Sequence, residues 1–221
     1  MTPEAVIFDC DGVLVDSEPI TNRVIAEEVT KLGWPLDLAG AIKAFKGNTM
    51  MGVCTLIEMR LDAPLPDKWL HALEQKIAAA FRLSLETVPG TAEFVRFLTS
   101  QSIPIAVASQ GSVEKMRTSL GKTGLWDYFK GHVYSADMVP APKPAPDLFL
   151  LAADKLGITP GNCMVVEDSP MGIHAAKAAG MMTVGLAPDG KGSDLIEAGA
   201  DRIVHSANEL TAFFQRKTLC Q

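Results

Sequence analysis

Near its N-terminus the chain reads Glu4-Ala-Val-Ile-Phe-Asp9-Cys-Asp11-Gly12-Val-Leu-Val-Asp16-Ser17-Glu18. A short, wholly apolar run, typical of a buried strand, is followed at once by two aspartates with one residue between them. In extended backbone, residues two apart point the same way, so Asp9 and Asp11 can face one site. Two carboxylates at such a distance repel each other unless a cation neutralises them or one of them takes a proton. Oxygen-only ligands suit a hard ion, and the segment therefore indicates a candidate Mg²⁺ site.

The bulk composition is that of a globular protein and excludes several classes of function. The chain has 221 residues, a hydrophobic content of 48% and a net charge of −6. An acidic balance argues against a broad nucleic-acid interface, which needs a basic face. We expect no membrane span and no signal peptide, because no apolar run approaches eighteen residues and no basic leader precedes one. The four scattered cysteines are typical of reduced thiols, so we expect a cytoplasmic protein.

The pattern along the chain predicts an early helical insertion. After the first strand, a helix is predicted from Pro19 to Gly33, with Ser17 as its cap. Further helical patterns cover roughly 37–45, 49–61 and 66–84, and no convincing strand lies between residues 36 and 85. We therefore predict a small all-helical cap domain at residues 17–87, inserted after the first strand into a core made of residues 1–16 and 88–221.

The core region alternates between helices and short apolar strands. Strands are predicted at 103–109, around 133–134, at 162–167, at 182–186 and at 202–204, with a helical pattern before each and a final helix at about 207–216. Near-continuously apolar strands alternating with helices indicate a parallel sheet covered on both faces. The predicted fold class is α/β, with a doubly wound, Rossmann-like parallel sheet core and the helical cap.

Chemically distinctive residues end successive strands. Ser109 and Gln110 end one predicted strand, Glu167 and Asp168 end another, and Lys143 follows a third. Ligands of doubly wound folds bind beyond the carboxyl ends of the strands. Alone, each residue is more simply read as a helix cap or a solvated loop charge. As a set at one edge of the sheet, together with Asp9 and Asp11, they predict an active site.

These motifs resemble those of the haloacid dehalogenase superfamily, in its β-phosphoglucomutase-like phosphatase branch. The first motif, DxDGxLxDSE, is matched by Asp9 to Glu18 at each fixed position. The other three are a strand ending in Ser or Thr, a lysine in a K-P-x-P-D context, and an E-D-S/T-x-x-G after a strand. Here they correspond to Ser109, to the segment 143–147 and to the segment 167–172. Gln110 departs from the Asn, Gly or Ser that relatives often carry.

The resemblance implies a Mg²⁺-dependent phosphatase that acts on a small phosphorylated metabolite through an aspartyl phosphate. Asp9 is then the nucleophile and Asp11 the general acid and base. Mg²⁺ is held by Asp9, by Asp168 and by the backbone carbonyl of Asp11, with Glu167 acting through water or through the other ligands. The transferring phosphoryl oxygens contact Ser109 and Lys143, while Gln110 lies beside them.

In this branch the cap domain contacts the part of the substrate that lies beyond the phosphoryl group. The segment Phe45-Lys46-Gly47-Asn48-Thr49 resembles the branch's specificity loop, and Lys46 and Asn48 suit the hydroxyl or carboxylate groups of a sugar phosphate or sugar-acid phosphate. The resemblance implies a small-molecule substrate as the only class of partner, with no nucleic acid and no membrane. Monomer and small homo-oligomer both remain open.

Several alternatives compete with a phosphatase. A phosphoglucomutase of this branch has a histidine on the first cap helix where this chain has Thr21, which weakens that reading. A phosphonoacetaldehyde hydrolase would use a cap lysine, and Lys46 and Lys43 are the candidates. A receiver-like phospho-acceptor domain also clusters acids with a lysine, but it has no inserted cap. Residues 185–192 nearly match a P-loop; they have Gly192 in place of its hydroxyl residue, and Pro188 removes a donor.

Overall fold

The computed structural model describes residues 3–45, 48–188, 190 and 192–218, with side chains described as far as Gln215. The chain divides into two units, one made of Met1–Val15 with Glu86–Gln221 and the other of Asp16–Leu85. The boundaries predicted from the sequence differ from these by one and two residues.

The first unit is built on a six-stranded, wholly parallel sheet with the order β3-β2-β1-β4-β5-β6. Its strands are β1 (Ala5–Phe8), β2 (Ile105–Ser109), β3 (Val133–Ser135), β4 (Cys163–Glu167), β5 (Met182–Leu186) and β6 (Arg202–Val204). Phe8 pairs in register with Val107 on one side and Val166 on the other. The residue after β1 is therefore flanked by the ends of β2 and β4.

Helices cover both faces of this sheet. They are α5 (Thr91–Ser100), α6 (Val113–Lys122), α7 (Asp147–Leu156), α8 (Pro170–Ala178), α9 (Ser193–Glu197) and α10 (Ala207–Thr218). Side chains of a strand alternate between faces. Ile7 accordingly packs in a cluster with residues of α7 and α8. The ring of Phe8 meets that of Phe94 on α5 edge-to-face at 5.8 Å, and Phe94 contacts Phe214 on α10. The predicted doubly wound fold class is confirmed.

In its described residues the second unit contains four helices, α1 (Glu18–Lys31), α2 (Leu38–Phe45), α3 (Met50–Leu61) and α4 (Trp69–Ser84). Leu73, Ile77 and Phe81, spaced four residues apart on α4, form its buried face. The ring of Trp34 meets that of Phe45 edge-to-face at 5.7 Å. In the same unit, Glu28 is 8% exposed and forms ion pairs with Lys31 and Lys76.

Several local predictions differ from the structure. Ser17 precedes α1, but its side chain makes no capping hydrogen bond, because its backbone has already turned into the helical region at φ −86° and ψ −23°. The helix predicted from residue 66 begins at Trp69, after Lys68 in a left-handed conformation. Three short 3-10 turns, Trp126–Phe129, Ala136–Met138 and Pro160–Asn162, were not predicted. Among the helices of the described residues, none combines the length and apolarity needed to cross a membrane.

Candidate active site

A tight turn after β1 sets the positions of both aspartates. The amide of Asp9 donates to the carbonyl of Val166 at 3.0 Å, which extends the pairing with β4 by one residue. The chain then folds back, with the amides of Leu14 and Val15 both donating to the carbonyl of Cys10 and that of Gly12 donating to the carbonyl of Val15. Asp9 is 8% exposed, whereas Asp11 is half-buried. The two carboxylates therefore lie at different depths.

Position 12 requires glycine for two reasons, its backbone conformation and the closeness of the Asp168 side chain. Its φ is +75°, a conformation that L side chains rarely adopt. A Cβ at this position would lie 1.9 Å from Oδ2 of Asp168. The Asp168 carboxylate, which follows β4, is thus packed directly against the turn that carries Asp9 and Asp11. This contact joins the ends of two neighbouring strands into one acidic rim.

Lys143 is a buried cation that bridges two of the acids. It lies in the loop after β3, and its side chain is only 2% exposed. Its Nζ is 2.6 Å from Oδ1 of Asp9 and 2.7 Å from Oε1 of Glu167. The same ammonium lies 4.7 Å from the centre of the Phe149 ring on α7. A lysine this deeply buried needs such partners, because desolvation of an unpaired ammonium is costly.

Glu167 is held from several directions. Its Oε2 accepts hydrogen bonds from the amides of Asp168 and Ser169 at 3.0 Å and from the Ser169 hydroxyl at 2.9 Å. Ser169 also caps α8 by accepting from the amide of Gly172. A Cβ on Gly172 would lie 1.7 Å from Oε1 of Glu167. With Oε1 on Lys143 and Oε2 on three donors, Glu167 is placed as a group that positions others.

Ser109 is the last residue of β2 and Gln110 follows it, at the same edge of the sheet. Ser109 is 2% exposed, and its hydroxyl accepts from the amide of Gly111 at 3.2 Å. Gln110 is exposed and donates from Nε2 to the carbonyl of Lys143 at 3.4 Å. A Cβ on Gly111 would lie 3.7 Å from the Ser109 hydroxyl and 4.0 Å from Oδ2 of Asp11. The end of β2 is therefore close to Asp11 and is linked to the Lys143 loop.

Lys115 is a member of the site that the sequence did not predict. Its Nζ lies 2.6 Å from Oδ2 of Asp11. Lys115 stands in the first turn of α6, whose cap is Ser112. A cation in that turn is opposed by the helix dipole, and this unfavourable placement is the one signal in the sequence that a partner outside the helix holds it.

Burial and the closeness of other charges shift the pKa values of the acids strongly. Burial raises the pKa of Asp9 to about 7, although the neighbouring Lys143 opposes the rise. The pKa of Asp168 is raised well above its ordinary value, by loss of solvent on its protein-facing side and by the charges of Glu167, Asp9 and Asp11. For Lys143, burial alone would lower the pKa, but Asp9 and Glu167 outweigh it and the pKa rises. Burial is thus the main cause of the raised pKa values of Asp9 and Asp168.

The donor chemistry of this rim fits a hard cation. In the part of the chain that the structure describes, no group of three His, Cys, Asp or Glu side chains is arranged to hold a metal ion by itself. Mg²⁺, however, usually takes one or two carboxylates and completes its shell with water and substrate phosphate. The carboxylates of Asp9 and Asp168, which lie close enough for their charges to interact, are oxygen donors of that kind. The neighbouring carboxylates of Glu167, Asp9 and Asp11 place negative charge around Asp168, which a cation would relieve.

The structure brings most of the predicted residues to one edge of the sheet. Six residues share the first unit and converge at the carboxyl ends of its strands: Asp9, Asp11, Ser109, Lys143, Glu167 and Asp168. Gln110 joins them through the Lys143 loop. Asn48 belongs to the helical unit and is exposed. Its side-chain Nδ2 donates to the backbone carbonyl of Phe45 at 3.4 Å. Lys46 lies outside the described residues.

The near-match to a P-loop does not have P-loop structure at its start. Gly185 and Leu186 are the last two residues of β5, paired with Ile203 and Val204 of β6. The first glycine of the pattern is therefore inside the sheet, while residues 189 and 191 of the pattern lie outside the described residues.

Comparison with known proteins places the chain among phosphatases. A family model for haloacid dehalogenase-like hydrolases matches residues 3–180. The 6-phosphogluconate phosphatase of Escherichia coli K12 is 32% identical over 179 residues, which cover 80% of each chain. Hexitol phosphatase B of the same organism is 32% identical over 211 residues, which cover 94% of each.

A solved structure shares both the fold and the sequence pattern. A HAD family hydrolase from Deinococcus radiodurans R1, crystallised with bound phosphate and sodium, superimposes with a TM-score of 0.83 at 34% identity. The match covers 98% of this chain and 96% of the other. The likeness therefore includes both the α/β unit and the helical unit.

Proposed function

The chain belongs to the haloacid dehalogenase-like hydrolases and is a phosphatase, and from that premise we propose that it hydrolyses a small sugar phosphate or sugar-acid phosphate with Mg²⁺ and through an aspartyl phosphate on Asp9. The observation that carries the proposal is the buried Lys143, whose Nζ lies 2.6 Å from Oδ1 of Asp9. It sets a fixed positive charge against the one carboxylate that ends the central strand β1.

Asp9 is the nucleophile in this proposal. An anionic carboxylate attacks a phosphate dianion only when nearby positive charge offsets both. Lys143 supplies part of that charge and holds one carboxylate oxygen, while Glu167 holds Lys143 from the other side at 2.7 Å. Asp9, Asp168 and the backbone carbonyl of Asp11 would hold a Mg²⁺ ion, which would supply the remaining positive charge. Glu167 acts on the metal through water or through the other ligands in this proposal, which its hydrogen bonds to Lys143 and to the start of α8 support.

Ser109 and Lys143 contact the transferring phosphoryl group. Ser109 is buried beside Asp11, and its hydroxyl can donate to a phosphate oxygen while it accepts from the amide of Gly111. Lys143 acts as a point charge rather than a bidentate donor. Gln110 holds the Lys143 loop by its bond to the carbonyl of that residue. These residues recognise the phosphate group. They do not contact the rest of the substrate in this proposal.

Asp11 moves the protons. In the first half of the reaction it gives its proton to the leaving oxygen as the bond from phosphorus to that oxygen breaks and the Asp9–phosphorus bond forms. In the second half, its carboxylate takes a proton from a water molecule whose oxygen attacks phosphorus and releases Asp9. Asp11 is half-buried, so water can reach it.

The proposed substrate class is supported by the relatives, which are named 6-phosphogluconate phosphatase and hexitol phosphatase B. Lys46 and Asn48 stay predictions for substrate contacts. The buried free thiols of Cys10, Cys54 and Cys163 support our placing of the enzyme in the cytoplasm, a reducing compartment.

The test is phosphate release from a panel of phosphorylated metabolites, with and without Mg²⁺. The panel holds hexose and pentose phosphates, 6-phosphogluconate, hexitol phosphates and phosphonoacetaldehyde, with β-glucose 1-phosphate assayed for isomerisation. We expect release from a narrow group of sugar or sugar-acid phosphates, loss with EDTA and recovery with Mg²⁺. Asp9→Asn should fold and melt normally and should release no phosphate. Turnover by that variant, or turnover that EDTA does not affect, would contradict the nucleophile or the metal respectively.

A further inference from the structure

The strongest unassigned feature of the molecule is the ion pair between Lys115 and Asp11. The ammonium lies 2.6 Å from Oδ2 of Asp11, with 40% of the Lys115 side chain and 33% of the Asp11 side chain exposed. The two residues are 104 positions apart in the chain. Their contact is made by tertiary structure and not by helix geometry.

The start of α6 fixes the direction of the lysine. The Ser112 hydroxyl accepts a hydrogen bond from the amide of Lys115 at 3.2 Å, so the third residue of the helix is tied to its cap. The stem of the side chain then passes Gly111, where an added Cβ would lie 3.3 Å from Cδ of Lys115. Gly111 directly follows Gln110 at the end of β2. The lysine is therefore aimed at Asp11 by a rigid turn.

Stability does not explain this pair. Half-exposed ion pairs contribute little to the free energy of folding. A lysine in the first turn is also opposed by the helix dipole, so α6 gains nothing from it. Lys143 meanwhile is committed to Asp9 and Glu167. A separate cation, Lys115, thus holds the carboxylate of Asp11, which moves protons. The role of this ion pair therefore lies in the reaction and not in folding stability.

The form of Asp11 that a lysine holds is the carboxylate, which is the form needed to take a proton from water. A general base works only when its oxygen is held within hydrogen-bond reach of that proton. A bond to Oδ2 restrains rotation of the carboxylate about its side-chain torsions. We propose that Lys115 is a positioning residue that holds Asp11 as the general base for hydrolysis of the phosphorylated Asp9. This inference rests on the proposed function.

The step itself balances without any added reactant. Water loses a proton to Asp11, and its oxygen forms a bond to phosphorus as the bond between phosphorus and the Asp9 carboxylate oxygen breaks. Phosphate leaves, Asp9 is again a carboxylate, and Asp11 holds the proton for the next leaving group. Lys115 contributes geometry and charge and exchanges no proton.

The test is the kinetics of Lys115→Met with p-nitrophenyl phosphate. Nitrophenolate leaves without a proton from Asp11, so phosphorylation of Asp9 is unaffected and only the second half is slowed. We expect kcat to fall by roughly tenfold to a hundredfold, KM to fall with it, and kcat/KM to stay unchanged. A burst of nitrophenolate and a phosphorylated protein detectable by mass after acid quench should accompany this split.

Two variants make the result specific. Lys115→Arg keeps a cation at this place and should restore most of kcat and remove the burst. Lys122→Met removes an exposed lysine from the same helix and should behave as the unaltered protein. A loss of kcat/KM without a burst, or an unchanged kcat in Lys115→Met, would overturn the inference. Failure of the unaltered protein to release phosphate with Mg²⁺ would instead overturn the proposed function.

Discussion

The two units of the molecule each contain a three-membered charge cluster, and the two clusters are inverted versions of each other. In the α/β unit one lysine, Lys143, lies between two carboxylates, Asp9 and Glu167. In the helical unit one carboxylate, Glu28, lies between two lysines, Lys31 and Lys76. The number of ion pairs is the same, but their solvation is not.

Exposure decides what each cluster contributes. The Lys143 side chain is 2% exposed, whereas those of Lys31 and Lys76 are 65% and 50% exposed. A buried pair is costly to break because it leaves an uncompensated charge in a poorly solvated place. A solvated pair is replaced by water at little cost. The comparison teaches that ion-pair geometry alone does not separate a reactive cluster from a structural one.

The largest expected effect comes from Lys143→Met, which removes the shared cation of the α/β cluster. Asp9 and Glu167 then face each other without it, and we expect activity to fall by roughly a hundredfold to a thousandfold. The free energy of unfolding should fall by about 3 kcal/mol. Phosphate release and urea unfolding measure the two effects. Lys122→Met, the exposed control, should change neither; a fully active Lys143→Met would remove the difference between the clusters.

A smaller effect tests whether the acids of this cluster depend on the backbone beneath them. Gly12→Ala places a Cβ 1.9 Å from Oδ2 of Asp168, so the carboxylate has to move, and activity should fall by roughly a hundredfold. Gly180→Ala is the matched control, since Gly180 has nearly the same φ of +73° and nothing within 4 Å of its added Cβ. It should cost about 1 kcal/mol of stability through strain alone and keep full activity. Equal activities in the two variants would contradict the close packing of Asp168.

The smallest effect belongs to the helical cluster and depends on pH. Loss of solvent alone would raise the pKa of Glu28, but hydrogen bonds from Lys31 and Lys76 outweigh it and lower the pKa. A lowered pKa contributes stability above the unfolded value, about 4.3, and that contribution is lost as the pH falls through the folded value. Glu28→Gln should therefore cost up to about 1 kcal/mol at pH 7 and progressively less below pH 4.

Urea unfolding between pH 7 and pH 3.5 measures this difference. Glu93→Gln is the control, because Glu93 makes a similar pair with Arg96 but its side chain is 62% exposed. That variant should match the unaltered protein at every pH. A Glu28→Gln effect that grows as the pH falls would show that the pair does not act through the ionised carboxylate.

The strands, and the gathering of the candidate site residues at one edge of the sheet, were predictable because local signals and global placement agree. β5 and β6 were predicted with their observed bounds, since apolar β-branched runs between turn residues have few other uses. Asp9 follows β1, Ser109 ends β2 and Lys143 lies in the loop after β3, and parallel strands end at one edge.

Other features depend on tertiary contacts that leave little trace in the sequence. Lys115 was missed because a lysine on a helix is ordinarily solvated, and its partner Asp11 is 104 positions away. Ser17 was predicted as a cap because its residue type favours that role, but the turn before α1 is already helical and leaves its side chain no capping geometry. Residue identity does not report backbone angles at one position.

The edges of the sheet bear on how the protein behaves at high concentration. Both edge strands of the described sheet, β3 and β6, are only three residues long, and the first residue of β6 is an exposed arginine. Short edge strands offer few unpaired backbone groups to a strand from another copy, and the charge of Arg202 further disfavours pairing at β6. The longer apolar strands β1, β2 and β4 lie in the middle, where they are paired on both sides. Strand-to-strand aggregation therefore requires unfolding of the central sheet first, so solubility during storage should follow the unfolding temperature.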